Sequence, residues 1–279
     1  MCRRTLAQAS AILTGIGLHT GDPGSVQILP ARAGSGIIFR HTRTGQRIAV
    51  QPSSIQNTVR CTALGAGSGV IQTVEHILSA LNGCGITDAE IVYDGHEVPI
   101  MDGSAAEFVH AIHRAGIADL DSYIDSIQIT APVTVCSDGA SVITAVPSDR
   151  LWICVIIDYP DKPLMTAQAA SYHGDDYEAQ IAPARTFGFV SELAALASRG
   201  LARGASKENA FALNDDGSPD ASTPLRFANE AARHKLLDLV GDLTLAGRPV
   251  RTGIIAVRPS HGLNTRLATE LSAIGSRLG

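Results

Sequence analysis

Apolar residues alternate with polar ones, or gather in short β-branched runs, over residues 24–30, 35–40, 89–93, 126–135, 140–147 and 151–158. Each stretch is rich in Val and Ile and is bounded by Gly, Pro, Asp or Ser, which predicts strands. Over 73–83, 104–115, 227–246 and 262–277 the period lengthens to that of a helix, and shorter helices are expected from Glu178 and from Ser191. The opening stretch MCRRTLAQASAILTGIGLHTG reads as a strand that leads into a turn over 15–21. Gln8, Ser10 and Thr14 interrupt it, and its apolar run is far shorter than a membrane span.

The two halves of this pattern resemble each other. GDPGSVQILPARAGSGIIF (21–39) and SDGASVITAVPSDRLWICVII (137–157) both read strand, polar turn with proline, strand. Each half then carries a helix containing a histidine, a strand and a final helix. This weak internal repeat predicts two α+β units packed face to face with a site between them. The polar stretch DLDSYID (119–125) near the middle of the chain marks the expected boundary, giving domains at 1–120 and 125–279.

Composition narrows the class. With 279 residues and 45% hydrophobic side chains the chain has ample material for a core. Five cysteines, an odd number without a C-x-x-C pair, suggest neither a disulfide framework nor a thiolate zinc knuckle, so a reducing, cytoplasmic location is expected. A net charge of -5, no Lys/Arg run and 4% aromatics exclude the basic footprint of a nucleic-acid surface. No transmembrane segment is evident. A small-molecule partner and a monomer are expected.

Three histidines stand out. On the helix at 73–83, Val74, Ile77, Leu78 and Leu81 form one apolar stripe, and Glu75 and His76 fall off it. An isolated pair of that kind is ordinarily a solvated polar face; the alternative is a pair held in a site. On the helix at 227–246, His234, Asp238 and Asp242 recur at i, i+4 and i+8 among leucines, so a polar stripe must be satisfied inside the protein. Two arrangements remain open there: a plain His-Asp hydrogen bond, or two ligands to one ion completed from elsewhere. His261 sits where a strand gives way to the last helix, either as a helix-flanking polar residue or as a cleft residue. The segment Ala184-Arg185-Thr186-Phe187-Gly188-Phe189 sets a cation, a hydroxyl and two rings around a glycine, which also suits an ordinary strand edge and turn.

Eight ordered blocks carry a resemblance over nearly the whole chain: TGIGLHTG (14–21), CTALG (61–65), TVEHILSAL (73–81), EVPIMDGSAAEF (97–108), ARTFGF (184–189), GASKENAFAL (204–213), RHKLLDLVGDL (233–243) and SHGLN (260–264). Together they resemble the zinc-dependent UDP-3-O-acyl-N-acetylglucosamine deacetylases of lipid A biosynthesis. The resemblance implies an α+β fold of two related two-layer α/β sandwich domains with the active site between them. It implies zinc ligands His76, His234 and Asp238, with Fe2+ suiting the same donors. Glu75 would be the general base, Asp242 and His261 an acid-base pair, and Thr186 and Lys235 contacts to the reacting centre and substrate.

Asp158 and Tyr159 match the family's uridine position, where many relatives carry Phe in place of the Tyr. Leu18, Phe187 and Phe189 would also face the substrate. An insert at about 191–213 would form an apolar passage for the acyl chain, with Leu193, Leu196, Leu201, Ala210 and Phe211 along it. The implied reaction is hydrolysis of the acetamide of UDP-3-O-acyl-N-acetylglucosamine to the free amine and acetate. Two departures, Pro259-Ser260 before His261 and the polar loop 214–225, motivate an alternative: an amidase of the same fold on another acylated amino sugar. A catalytically silent nucleotide-sugar-binding relative is the alternative of another class, against which Glu75 and His261 argue.

Overall fold

The computed structural model describes residues 1–67, 69–137, 139–165 and 167–278, so that Asp138, within the second of the two similar stretches, falls outside them. The first half runs β1 (Cys2–Leu6), β2 (Leu13–Ile16), β3 (Pro23–Pro30), β4 (Ile37–His41), β5 (Arg47–Ala49), β6 (Ile55–Asn57), β7 (Ala63–Ala66) and β8 (Gly69–Ile71). It continues with α1 (Glu75–Gly83), β9 (Ala89–Asp94), α2 (Ala106–Ala115) and β10 (Ile117–Tyr123). The second half runs β11 (Val133–Cys136), β12 (Val142–Pro147), β13 (Trp152–Asp158), β14 (Ala167–Tyr172), α3 (Tyr177–Gln180), β15 (Phe187–Phe189) and α4 (Leu193–Ser198). β16 (Phe211–Leu213), α5 (Glu230–Leu243), β17 (Thr252–Val257) and α6 (His261–Leu278) complete it.

The hint of a repeat becomes a shared topology. One five-stranded sheet has the order β2-β3-β9-β4-β5 and the other β11-β12-β17-β13-β14. In both, the strand that follows the long helix inserts between the second and third strands, parallel to the third and antiparallel to the second. The strands bury alternate residues, as in β9 and β13, so each sheet has one apolar face. Helices cover that face, which makes each half a two-layer α+β unit.

The two helix layers meet each other through α1 and α5. That contact helps bury α1 all round: Val74, Ile77, Leu78 and Leu81 are fully buried, and Glu75, His76 and Ser79 are buried too. Ser79 Oγ donates to the Leu237 carbonyl at 2.8 Å and Asn82 Nδ2 to the Val240 carbonyl at 3.2 Å. Glu75 and His76 are therefore not the solvated pair that their place off the apolar stripe would ordinarily indicate.

Several expected elements shift. The stretch 119–125 is mostly strand β10, paired antiparallel with β1, because its alternating polar residues suit an exposed two-stranded ribbon. The opening stretch holds two strands, β1 and β2, separated where Ser10 turns back to bond Ile28. Of 126–135 only Val133–Cys136 is strand. Ile127 makes an isolated bridge to Val250. β15 and β16 pair in parallel outside both large sheets, and α4 rides on the crossover between them with none of its residues buried.

Candidate active site

The start of α1 is fixed from outside the helix. Thr73, just before it, has φ +56, a conformation that costs a β-branched residue energy and must be held. Glu97 holds it: its carboxylate accepts from Thr73 Oγ1 at 2.6 Å, from Thr20 Oγ1 at 2.8 Å and from the His19 and Thr20 amides. A Cβ on Gly17 would lie 2.3 Å from that carboxylate, so this turn needs glycine. The blocks at 14–21, 73–81 and 97–108 are thus three sides of one knot that aims Glu75 and His76.

The stripe on α5 meets them. His234 Nε2 lies 3.3 Å and His76 Nε2 3.8 Å from Asp238 Oδ1, and one donor atom from each of the three residues falls within 4.8 Å of the others. His234 is oriented by donating from Nδ1 to the Ala184 carbonyl at 3.1 Å. That carbonyl is in turn placed by Arg185, whose side chain forms a buried two-point pair with Glu230 at the first turn of α5. Lys235 Nζ donates to Asp238 Oδ2 at 2.8 Å, and Asp238 Oδ1 is buried without a hydrogen-bond partner among the described residues. A buried carboxylate oxygen with no donor beside it, flanked by two imidazole nitrogens, fits a divalent cation.

The electrostatics agree. Burial, with His234 beside it, pushes His76 down to about 3, and burial lowers His234 as well, so both rings are neutral and present lone pairs. Burial would raise Asp238, but the cationic Lys235 and His261 hold it well below the usual carboxylate range. The plain His-Asp hydrogen bond left open by the sequence does not form: the neutral His234 ring directs its one N–H at the Ala184 carbonyl, so its Nε2 faces Asp238 Oδ1 as a lone pair.

Beside this cluster lies a second one. His261, at the first residue of α6, donates from Nδ1 to Asp242 Oδ2 at 3.1 Å, and its Nε2 lies 3.9 Å from Glu75 Oε1 and 3.9 Å from Asp238 Oδ2. Burial alone would lower His261, but the Glu75 and Asp242 carboxylates outweigh it and raise it to about 9. Burial pushes Glu75 up to about 8 against the opposing pull of His261. Thr62 and Asn264 also donate to Asp242, at 2.6 and 2.9 Å.

A cavity of about 610 Å³ opens over both clusters. Of the residues singled out from the sequence, Leu18, Glu75, His76, Thr186, Phe187, Leu193, Leu196, His234, Lys235, Asp238 and His261 line it. Asp242 is fully buried beneath His261. Asp158, Tyr159, Phe189 and Leu201 are not on its wall. Asp158 instead pairs with Arg258 at 2.5 Å, and Phe189 is buried against Tyr159, whose ring also meets Phe187 edge-on.

Sequence reasoning passed over Thr62, Glu97, Asn264 and Glu230. The first three lie inside quoted blocks and could have been tried as hydrogen-bond partners. Glu230 had no signal beyond its place in a helix. A larger cavity of about 730 Å³ lies at the other ends of α1 and α5. Among the described residues it is lined by Arg3, Arg4, Arg150, Arg248 and Arg251 and by no carboxylate, and it holds none of this chemistry. Cations there complement the carbonyl ends of the two helices.

Residues 3–273 match the family model LpxC, UDP-3-O-acyl N-acetylglycosamine deacetylase. A UDP-3-O-acyl-N-acetylglucosamine deacetylase of Leptospira biflexa is 42% identical over 271 residues, covering 95% of this chain and 88% of the relative. The protein of that name from Geobacter sp. (strain M21) is 40% identical over 267 residues, covering 94% and 86%. That of Trichormus variabilis is 40% identical over 286 residues, covering 99% of this chain and 100% of its own.

Proposed function

The chain belongs to the UDP-3-O-acyl-N-acetylglucosamine deacetylase family, and from that premise we propose that it hydrolyses the acetamide of UDP-3-O-acyl-N-acetylglucosamine, with a divalent metal held by His76, His234 and Asp238. The observation that carries this reading is the convergence of three buried donor atoms within 4.8 Å, flanked on one side by Glu75 and His261. The family is a metal-dependent one; zinc is the metal proposed here, and Fe2+ would suit the same donors. Zinc, when bound, supplies Lewis-acid activation of a water and of the acetamide carbonyl.

The protein groups do the rest. Glu75 Oε2 is tied by the Thr62 amide at 2.9 Å, which leaves Oε1 to take a proton from the attacking water. A C–O bond forms as the carbonyl becomes a tetrahedral oxyanion, to which the hydroxyl of Thr186, a residue of the cavity wall, would donate. A donor of that kind contributes about 3 kcal/mol. His261, held cationic by Asp242, stabilises the charge and then gives its Nε2 proton to the nitrogen as the C–N bond breaks. Lys235 holds Asp238 in its ligating orientation and offers a charge to the substrate from the same wall.

Leu18, Phe187, Leu193 and Leu196 would receive the acyl chain, with Phe189 and Leu201 as further substrate contacts of the same reading. Asp158 and Tyr159 would lie toward the uridine. The division into units at 1–120 and 125–279, the apolar-passage role of the insert at about 191–213, the place in lipid A biosynthesis, a cytoplasmic location and a monomeric state belong to the same reading. No described helix is long and apolar enough to cross a membrane.

Purified protein, assayed for acetate release with its metal content measured in parallel, tests the reading. Deacetylation that follows metal occupancy and depends on the O-acyl chain is expected. Metal-loaded protein inactive on the acylated nucleotide sugar would overturn it. Asp220 and Ser222 of the polar 214–225 loop also line the cavity, which favours a second reading with another acylated amino sugar as substrate. Turnover without preference for the 3-O-acyl chain would select that one.

A further inference from the structure

Thr62 is fully buried just ahead of β7, and all of its polar atoms are engaged. Its amide donates to Glu75 Oε2 at 2.9 Å and its carbonyl accepts from the Val74 amide at 3.2 Å. Its hydroxyl donates to Asp242 Oδ1 at 2.6 Å and passes 3.4 Å from His261 Nδ1. One residue of the first half thus touches the carboxylate on α1, the carboxylate on α5 and the imidazole on α6.

The donors on Asp242 divide unevenly. His261 Nδ1 and Asn264 Nδ2 both bond Oδ2, at 3.1 and 2.9 Å, and among the described residues Thr62 alone bonds Oδ1. Without the Thr62 hydroxyl that buried oxygen loses its donor, and the carboxylate is free to swing toward other donors and away from His261. Such a swing turns the imidazole, whose Nε2 is 3.9 Å from Glu75 Oε1. We propose that Thr62 is a positioning residue that sets the separation and orientation of Glu75 and His261 by holding one through its amide and the other through Asp242. The proposal rests on the reading that these two groups move the protons of the reaction. Thr62 touches neither the metal donors nor the cavity wall.

The test compares Thr62→Val, which keeps the shape and the amide, with Thr62→Ser, which restores the hydroxyl. Thr62→Val is expected to retain metal and to change KM by less than about twofold, while kcat falls about 10- to 100-fold, the scale of a lost hydrogen bond to a charged group. Thr62→Ser should recover kcat to within about threefold. NMR of the His261 imidazole in the same proteins reads the geometry without turnover: the Nδ1–H resonance should shift in Thr62→Val and return in Thr62→Ser. If Thr62→Val does not fold, Thr62→Ala takes its place against Thr62→Ser.

Normal kcat with an unshifted resonance in the hydroxyl-free variant, or a Thr62→Ser protein as impaired as Thr62→Val, would overturn the proposal. A wild-type protein that deacetylates nothing, but whose His261 resonance still depends on the Thr62 hydroxyl, would retire the reaction and keep the positioning role.

Discussion

Glu75 and His261 face each other across 3.9 Å, a carboxylate raised by burial and an imidazole raised by carboxylates. Their signs set the pH profile. In its proposed role Glu75 acts ionised, so activity should be lost as pH falls through its pKa; a cation at the neighbouring donors would pull that value down from about 8, which puts the acidic limb between there and the ordinary carboxylate value. In its proposed role His261 acts protonated, so activity should be lost as pH rises through about 9. Asp242→Asn removes a raising charge, and the alkaline limb of kcat should move to lower pH with metal content unchanged; a fixed limb would dissociate Asp242 from His261. Glu75→Gln should keep its metal and lose about 100-fold or more in kcat, measured at saturating substrate. His76→Ala, His234→Ala and Asp238→Ala should each lose metal as well as activity, and full occupancy in all three would exclude this donor set.

At the scale of elements, the site depends on how closely α1 and α5 approach. A Cβ on Gly241 would lie 2.1 Å from the Glu75 carbonyl, so the helices can touch there only because α5 carries glycine. Gly241→Ala should push them apart, costing about 1–3 kcal/mol by denaturant unfolding. It should also weaken metal binding, since His76 rides on one helix and His234 with Asp238 on the other. A variant of unchanged stability and metal affinity would show that the contact has slack. The helices themselves were legible, because a period of 3.6 over ten or more residues is a strong signal. The strand β10 was hidden in a polar, boundary-like stretch, since a two-stranded ribbon with exposed side chains leaves little hydrophobic contrast to read. The insert gave a helix in roughly the right place, but only the structure sets α4 outside the core, with Leu193 exposed and also on the cavity wall.

Across the whole molecule, two units of the same sheet order face each other through their helices, and a metal with ligands from both would tie them together. Metal removal by a chelator should therefore lower Tm, by an amount that grows with metal affinity and concentration. His76→Ala should abolish that dependence; a chelator-insensitive Tm in the wild-type protein would mean that the packing of α1 on α5 does not depend on the ion. The amino-acid sequence by itself determined the long helices and most of the sheet strands, the polar stripe on α5 and, through eight ordered blocks, the family, because periodicity and motif spacing are local properties of a chain. Only the tertiary structure decided that Glu75 and His76 are buried rather than solvated, that Lys235 turns to Asp238, that Asp158 is taken by Arg258 and that Thr62 joins three elements. Each of those depends on which faces of distant segments meet, and Thr62 and His261, 199 residues apart, share no pattern that a linear reading can detect.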